Sequence, residues 1–137
     1  MIFPIPEIVS NFHDALLMAI DAIEAPSRLS FVFKLADGRL VKLNANECAM
    51  FRVNDFISQN IVSNLHVISG ISEQSDFILS RLKWLSSLSD TAPSMSDVVM
   101  LDVVEKVRKG EYVLFSIEPS WGAEVVCLCR TINGIEM

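Results

Sequence analysis

Between Leu29 and Leu35 large apolar residues alternate with polar or smaller ones: Leu29, Phe31, Phe33 and Leu35. Period two is the signature of a strand with one buried face. Asp37-Gly38 follows as a turn signal. A two-residue turn there would set Phe33 opposite Lys42, a poor match. A three-residue loop, Ala36-Asp37-Gly38 with Gly38 in the left-handed region, sets Phe33 against Val41 and Phe31 against Leu43. The side chains select the longer loop.

Elsewhere the pattern reads as helical. Ile8, Phe12, Ala15, Leu16, Ala19, Ile20 and Ile23 recur at helical spacing, with Pro4 and Pro6 to open a first helix and Pro26 to close it. Leu17 and Met18 widen its apolar side, so the helix is expected to be buried on most of its circumference, by the sheet and by a second chain. Asn44 and Glu47 have the spacing of a cap and its reciprocal partner. They predict a second helix with Ala49, Val53, Phe56, Ile57 and Ile61 inward, ending near Ser63-Asn64. Leu65–Ile71 reads as a short strand. A helix starting at Ser72 or Ser75 places Ile78, Leu82, Leu85 and Leu88 on one face, with Phe77 and Trp84 on its flank. Residues 89–97 form a surface loop or hinge. Ser96 or Asp97 then caps a helix to Lys109, ended by Gly110, with Val99, Val103 and Val107 as its buried line. Asp102–Lys106 and Glu105–Lys109 are its i,i+4 pairs. Glu111–Ile117 and Ala123–Arg130 make a closing hairpin around Glu118–Gly122.

The predicted order is α-β-β-α-β-α-α-β-β. It describes one α+β domain over residues 1–137, with a largely antiparallel sheet of about five strands packed by helices.

Composition sharpens this picture. Of 137 residues 51% are apolar and 20% charged, with mean hydropathy +0.41; a disordered chain has the opposite balance. The surplus of apolar residues suggests either a well-filled core or surface buried against another chain, in a homo-oligomer or a hetero-complex. No apolar run approaches the roughly 20 residues that span a bilayer. The first basic residue is Arg28, so neither a secretory signal nor a transit peptide is expected. Three cysteines without framework spacing point to a reducing compartment, the cytoplasm.

The net charge of −6 comes from the chain ends: residues 1–27 hold Glu7, Asp14, Asp21 and Glu24 and no Lys or Arg. Nucleic-acid binding requires a basic patch instead. A basic protein partner fits the charge better.

Candidate chemistry is sparse. Cys127 and Cys129 share one face of the last strand and read as small core residues. A tetrahedral zinc site needs four ligands, and Cys48, His13 and His66 are not paired in spacing. No catalytic, cofactor or metal residues are assigned. Glu7, Asp14 and Asp21, seven apart, form an acidic stripe along the first helix, too widely spaced to share one reacting bond. Trp121 stands at a hairpin tip flanked by Glu118 and Glu124, where an exposed aromatic serves as an anchor. These six residues make the expected partner-binding surface. The reading is a non-enzymatic acidic protein-binding module, an inhibitor or an immunity-type accessory protein. Its rivals are a self-associating structural or adaptor subunit, and a small enzyme with dispersed catalytic residues using Cys48 or His66.

Overall fold

A computed structural model describes residues 2–3, 9–25, 27–70, 74–88 and 92–137. Its strands are β1 (Ile2–Phe3), β2 (Leu16–Asp21), β3 (Arg28–Lys34), β4 (Leu40–Asn46), β5 (Met50–Asn54), β6 (Ile61–Ile68), β7 (Val113–Trp121), β8 (Glu124–Cys129) and β9 (Thr131–Glu136). Helices α1 (Ser75–Leu85) and α2 (Asp97–Arg108) lie between β6 and β7. All pairings are antiparallel, in the order β1-β9-β4-β3-β2-β6-β7-β8-β5, and the sheet is not closed. The expected α-β-β-α-β-α-α-β-β order with about five strands is therefore wrong: the described residues form a large antiparallel sheet with two helices.

The β3–β4 hairpin has the predicted register, Phe31 opposite Leu43 and Phe33 opposite Val41. Leu35 N donates to Arg39 O, and Gly38 has φ 93°, so the loop is the three-residue one.

The first predicted helix does not form in the described residues. Val9–Phe12 is a 3-10 turn and Leu16–Asp21 is strand β2; Pro4, Pro6, Glu7, Ile8 and Pro26 lie outside the description. The cause of the misreading is a β-bulge. The β2–β3 register shifts between Leu17 and Ala19, so the inward residues Leu17 and Ile20 are three apart. Phe12 and Ala15, also three apart, are buried before them. One extra residue in a strand thus copies the i,i+3 spacing of a helix. The apolar helix face against which a second chain was expected is therefore not present in the described residues.

The second predicted helix is also absent. Asn44 caps nothing; its Oδ1 accepts from Ser30 Oγ at 2.7 Å across the β3–β4 ladder. Glu47 has φ 50°, which breaks any first turn. Here β4 kinks into β5, whose Phe51 and Val53 pack on the interior while Met50 packs toward the helices. A strand apolar on both faces shows no alternation.

The downstream helices match better. Ser96 Oγ accepts from Val99 N as the α2 cap, and Gly110 has φ 83°. The buried line of α2 is Met100, Val103, Val104 and Val107; Val99 is exposed. The predicted Glu105 pairing goes to Arg108 at 3.3 Å, while Lys106–Asp102 forms at 3.0 Å. The strand predicted at Leu65–Ile71 begins earlier, at Ile61, and β9 was not foreseen.

Two bent strands fold the sheet over. β4 continues into β5 through residues 47–49, and β8 into β9 through Arg130. They run side by side, Asn46 facing Thr131 and Met50 facing Leu128. The β2-β3-β4-β9 half thereby lies on the β6-β7-β8-β5 half. Phe12 meets Phe33 edge-on at 4.8 Å, and Phe31 of β3 reaches Phe115 of β7 at 5.0 Å. The helices cover the outer face of β6, β7 and β8, where Leu114, Val126 and Leu128 meet Ile78, Leu82 and Val107.

Candidate protein-interaction surface

One buried polar residue organises one end of the sheet. Asn60 Oδ1 accepts from Ile57 N at 2.9 Å and from Ala123 N at 3.0 Å, and its Nδ2 donates to Ile57 O at 2.8 Å. Its backbone oxygen accepts from Leu17 N. One amide therefore joins β2, the 55–60 loop and the β7–β8 turn. Gly122 packs so closely that a Cβ there would lie 2.4 Å from Asn60 Oδ1.

Around this hub large apolar side chains face solvent. Trp121 is 60% exposed, Met18 53%, Phe56 46% and Ile57 43%. Each is within two residues of a group bonded to Asn60, and Trp121 pairs with Ile61. Leu16, Leu17, Met18, Phe56, Ile57 and Asn60 help line a cleft of about 310 Å³. The β2 bulge turns Met18 outward, and Asp55 at φ 60° starts the loop.

The expected acidic residues do not converge on Trp121. Asp14, in a turn with φ 63°, donates its N–H to Val62 O. Val62 pairs with Pro119 on its other side, so Asp14 lies across β6 from Pro119. Asp21 is at the far end of β2, where its Oδ1 accepts from Ile23 N and it sits with Glu24, Arg28, Ser30 and Lys42. Glu118 accepts from Asn64 Nδ2 at 3.2 Å and approaches His66 Nε2 at 3.6 Å. Glu124 holds Arg81 Nη1 at 2.7 Å. Glu7 lies outside the described residues. Asp14 and Asp21 thus do not lie on a helix, and no stripe of the expected kind is present in the described residues. The apolar members of the surface around Asn60 were missed because Phe56 and Ile57 were read as a buried helix face. The available signal was their bracketing by turn formers, Asn54-Asp55 and Asn60.

The chemistry-bearing residues are separated. Cys48 belongs to the sheet interior, whereas His66 faces the helix side, its ring 4.8 Å from Phe77; the sheet stands between them. Ser116, opposite His66, is fully buried. All three cysteines are free and buried, with Cys127 and Cys129 in the interior as their strand parity requires. Among the described residues no group of three or more His, Cys, Asp or Glu is placed to hold a metal, and no helix is long and apolar enough to cross a membrane. No family model, curated protein or solved structure matches the chain.

Proposed function

We propose that the protein binds another protein through the surface centred on Trp121, as an accessory or inhibitory module. The observation that carries this reading is the exposure of Trp121, Met18, Phe56 and Ile57 around the Asn60 hub, the last three lining one cleft. Large apolar side chains exposed at one end of the sheet, a tryptophan among them and a cleft between the others, are costly to leave in water and have the make-up of a binding hot spot. Asp14 and Asp55 at its margin favour a partner with basic groups around an apolar protrusion. Such charges chiefly speed encounter, whereas the buried anchor governs dissociation.

The test is capture of partners from the native host by wild-type protein, Trp121→Ala and Ile57→Asp, with Leu101→Asp on the exposed side of α2 as control. A stoichiometric partner is expected with wild type and control. Trp121→Ala should weaken its binding by about 30-fold or more, corresponding to roughly 2–4 kcal/mol. A partner held equally by Trp121→Ala and Ile57→Asp would place the contact elsewhere. Self-association abolished by Trp121→Ala would make the partner a second copy of the chain.

A further inference from the structure

Cys48 Sγ lies 3.2 Å from Cys127 Sγ. We propose that these two thiols are an oxidisable pair, which a hydroperoxide converts into a disulfide fastening the β4–β5 kink to β8. A disulfide needs its sulfurs about 2.05 Å apart, so roughly one ångström of approach is required. The structure supplies it on one side. Cys48 stands in the kink, between Glu47 at φ 50° and Ala49, and its N–H reaches Ser27 O only at 3.3 Å. Cys127 is fixed between two strands, opposite Phe115 of β7 and Phe51 of β5. Cys48 moves and Cys127 receives it.

The two thiols also divide the chemistry. Cys48 retains 5% exposure and Cys127 none, so a small oxidant meets Cys48 first. The hydrogen bond with Cys127 holds the Cys48 thiol below its ordinary range, despite burial. Hydrogen bonding with Cys129, then with Cys48, and burial push the Cys127 thiol up. Of the two, Cys48 is the readier to ionise and attack, and Cys127 the one that keeps its proton. Cys48 sulfur attacks one peroxide oxygen and the O–O bond breaks; with a proton, the departing oxygen leaves as an alcohol or as water. Cys127 sulfur then attacks the Cys48 sulfenic sulfur. The S–S bond forms, the S–O bond breaks, and the hydroxide takes the Cys127 proton as water. Two thiols lose two electrons to one peroxide bond.

Cys129 does not compete for Cys127. Side chains at i and i+2 of a strand stand parallel with Cα atoms about 6.7 Å apart, against Cβ atoms roughly 3.8 Å apart in a disulfide. The Cys48–Cys127 link would bridge 79 positions of sequence and join the two bent strands where the sheet folds over.

The experiment treats the full folded chain with hydrogen peroxide, blocks remaining thiols after unfolding, and maps peptides without reduction. Loss of two hydrogen atoms, one alkylated thiol and a cross-link between the Cys48 peptide and Gly110–Arg130 are expected, all reversed by dithiothreitol. Because Cys127 and Cys129 share that tryptic peptide, the link must persist in Cys129→Ala and vanish in Cys127→Ala. If Cys127→Ala fails to fold, fragmentation of the wild-type linked peptide assigns the sulfur. The linked form should melt higher by roughly 10 °C, from loop closure in the unfolded chain. Sulfinic acid at Cys48 without a link, a link to Cys129, three unreacted thiols, or a linked form that melts no higher would each overturn the proposal.

Discussion

Phe12, Phe31, Phe33 and Phe115 fill the interior of the folded sheet, whereas Ile78, Leu82, Leu85, Val103, Val104 and Val107 fill the layer under the helices. The interior must bridge two sheet halves, and stacked sheets sit about 10 Å apart. Aromatic rings meeting edge-on or tilted span that gap. The helix layer nests aliphatic ridges into one sheet face and needs no such reach. The two layers also differ in sequence range. The interior joins β3 to β7 through Phe31 and Phe115, while the helix layer joins α1 and α2 to the adjacent strands β6, β7 and β8. Long-range contacts form only when the sheet folds over; the helix layer has local structure to build on.

The strongest way to break this comparison is to empty each layer. Phe31→Ala removes the ring that touches both Phe33 and Phe115 and should destabilise by about 3–5 kcal/mol, a large share of a domain's roughly 5–15. Leu82→Ala, at a fully buried position on the inner face of α1, should fall toward the lower part of the 2–5 kcal/mol range for such truncations. The distinction lies in where protection is lost. Amide exchange in Leu82→Ala should rise first in α1 and α2 with the sheet still protected. In Phe31→Ala all elements should exchange together. Equal patterns in the two variants would mean that the layers are one cooperative unit.

A smaller effect separates space from backbone conformation at the margin of the interior. Gly122 and Gly38 both have positive φ, 86° and 93°. A Cβ at Gly38 meets nothing within 4 Å, whereas one at Gly122 meets Asn60 Oδ1 at 2.4 Å and Gln59 O at 2.8 Å. Gly38→Ala should therefore cost about 1 kcal/mol, the left-handed strain alone. Gly122→Ala should cost about 2–3 kcal/mol, since it adds displacement of the Asn60 amide. It should also loosen the 55–60 loop, read as greater proteolytic sensitivity there. Urea melts of the two variants decide; equal costs would remove Asn60 as the hub of the patch.

The same contrast explains what was legible in the residues. Helix α2 carries its own periodicity, cap and terminator, and α1 a clear periodicity of its own, so local rules suffice for them. The β3–β4 hairpin was legible to its register because its loop has one glycine and its flanking side chains accept only one pairing. β2 and β5 were hidden for separate reasons. A bulge at Met18 makes β2 count in threes, and β5 is apolar toward both layers. Trp121 was marked by its place beside a turn. Phe56 and Ile57 were not, because a misread helix placed them inward, and Met18 was assigned to the apolar side of a helix absent from the described residues; only the fold brings these residues together around Asn60.

The smallest effect concerns two buried serines on the outward faces of opposite sheet halves. Ser30 Oγ donates to Asn44 Oδ1 at 2.7 Å. Ser116, opposite His66 and Val126 beneath the helix layer, is fully buried, and its hydroxyl has no hydrogen-bond partner among the described residues. Removing a bonded hydroxyl loses the bond and strands its partner, so Ser30→Ala should cost about 1–2 kcal/mol. Removing an unbonded one relieves desolvation and leaves a void smaller than a methyl group. Ser116→Ala should therefore be neutral or stabilising by up to about 1 kcal/mol. Urea midpoints at constant m-value measure both. If Ser116→Ala instead costs more than Ser30→Ala, the Ser116 hydroxyl bonds to His66 or to water in solution. The helix layer would then enclose a polar site and not a purely aliphatic one.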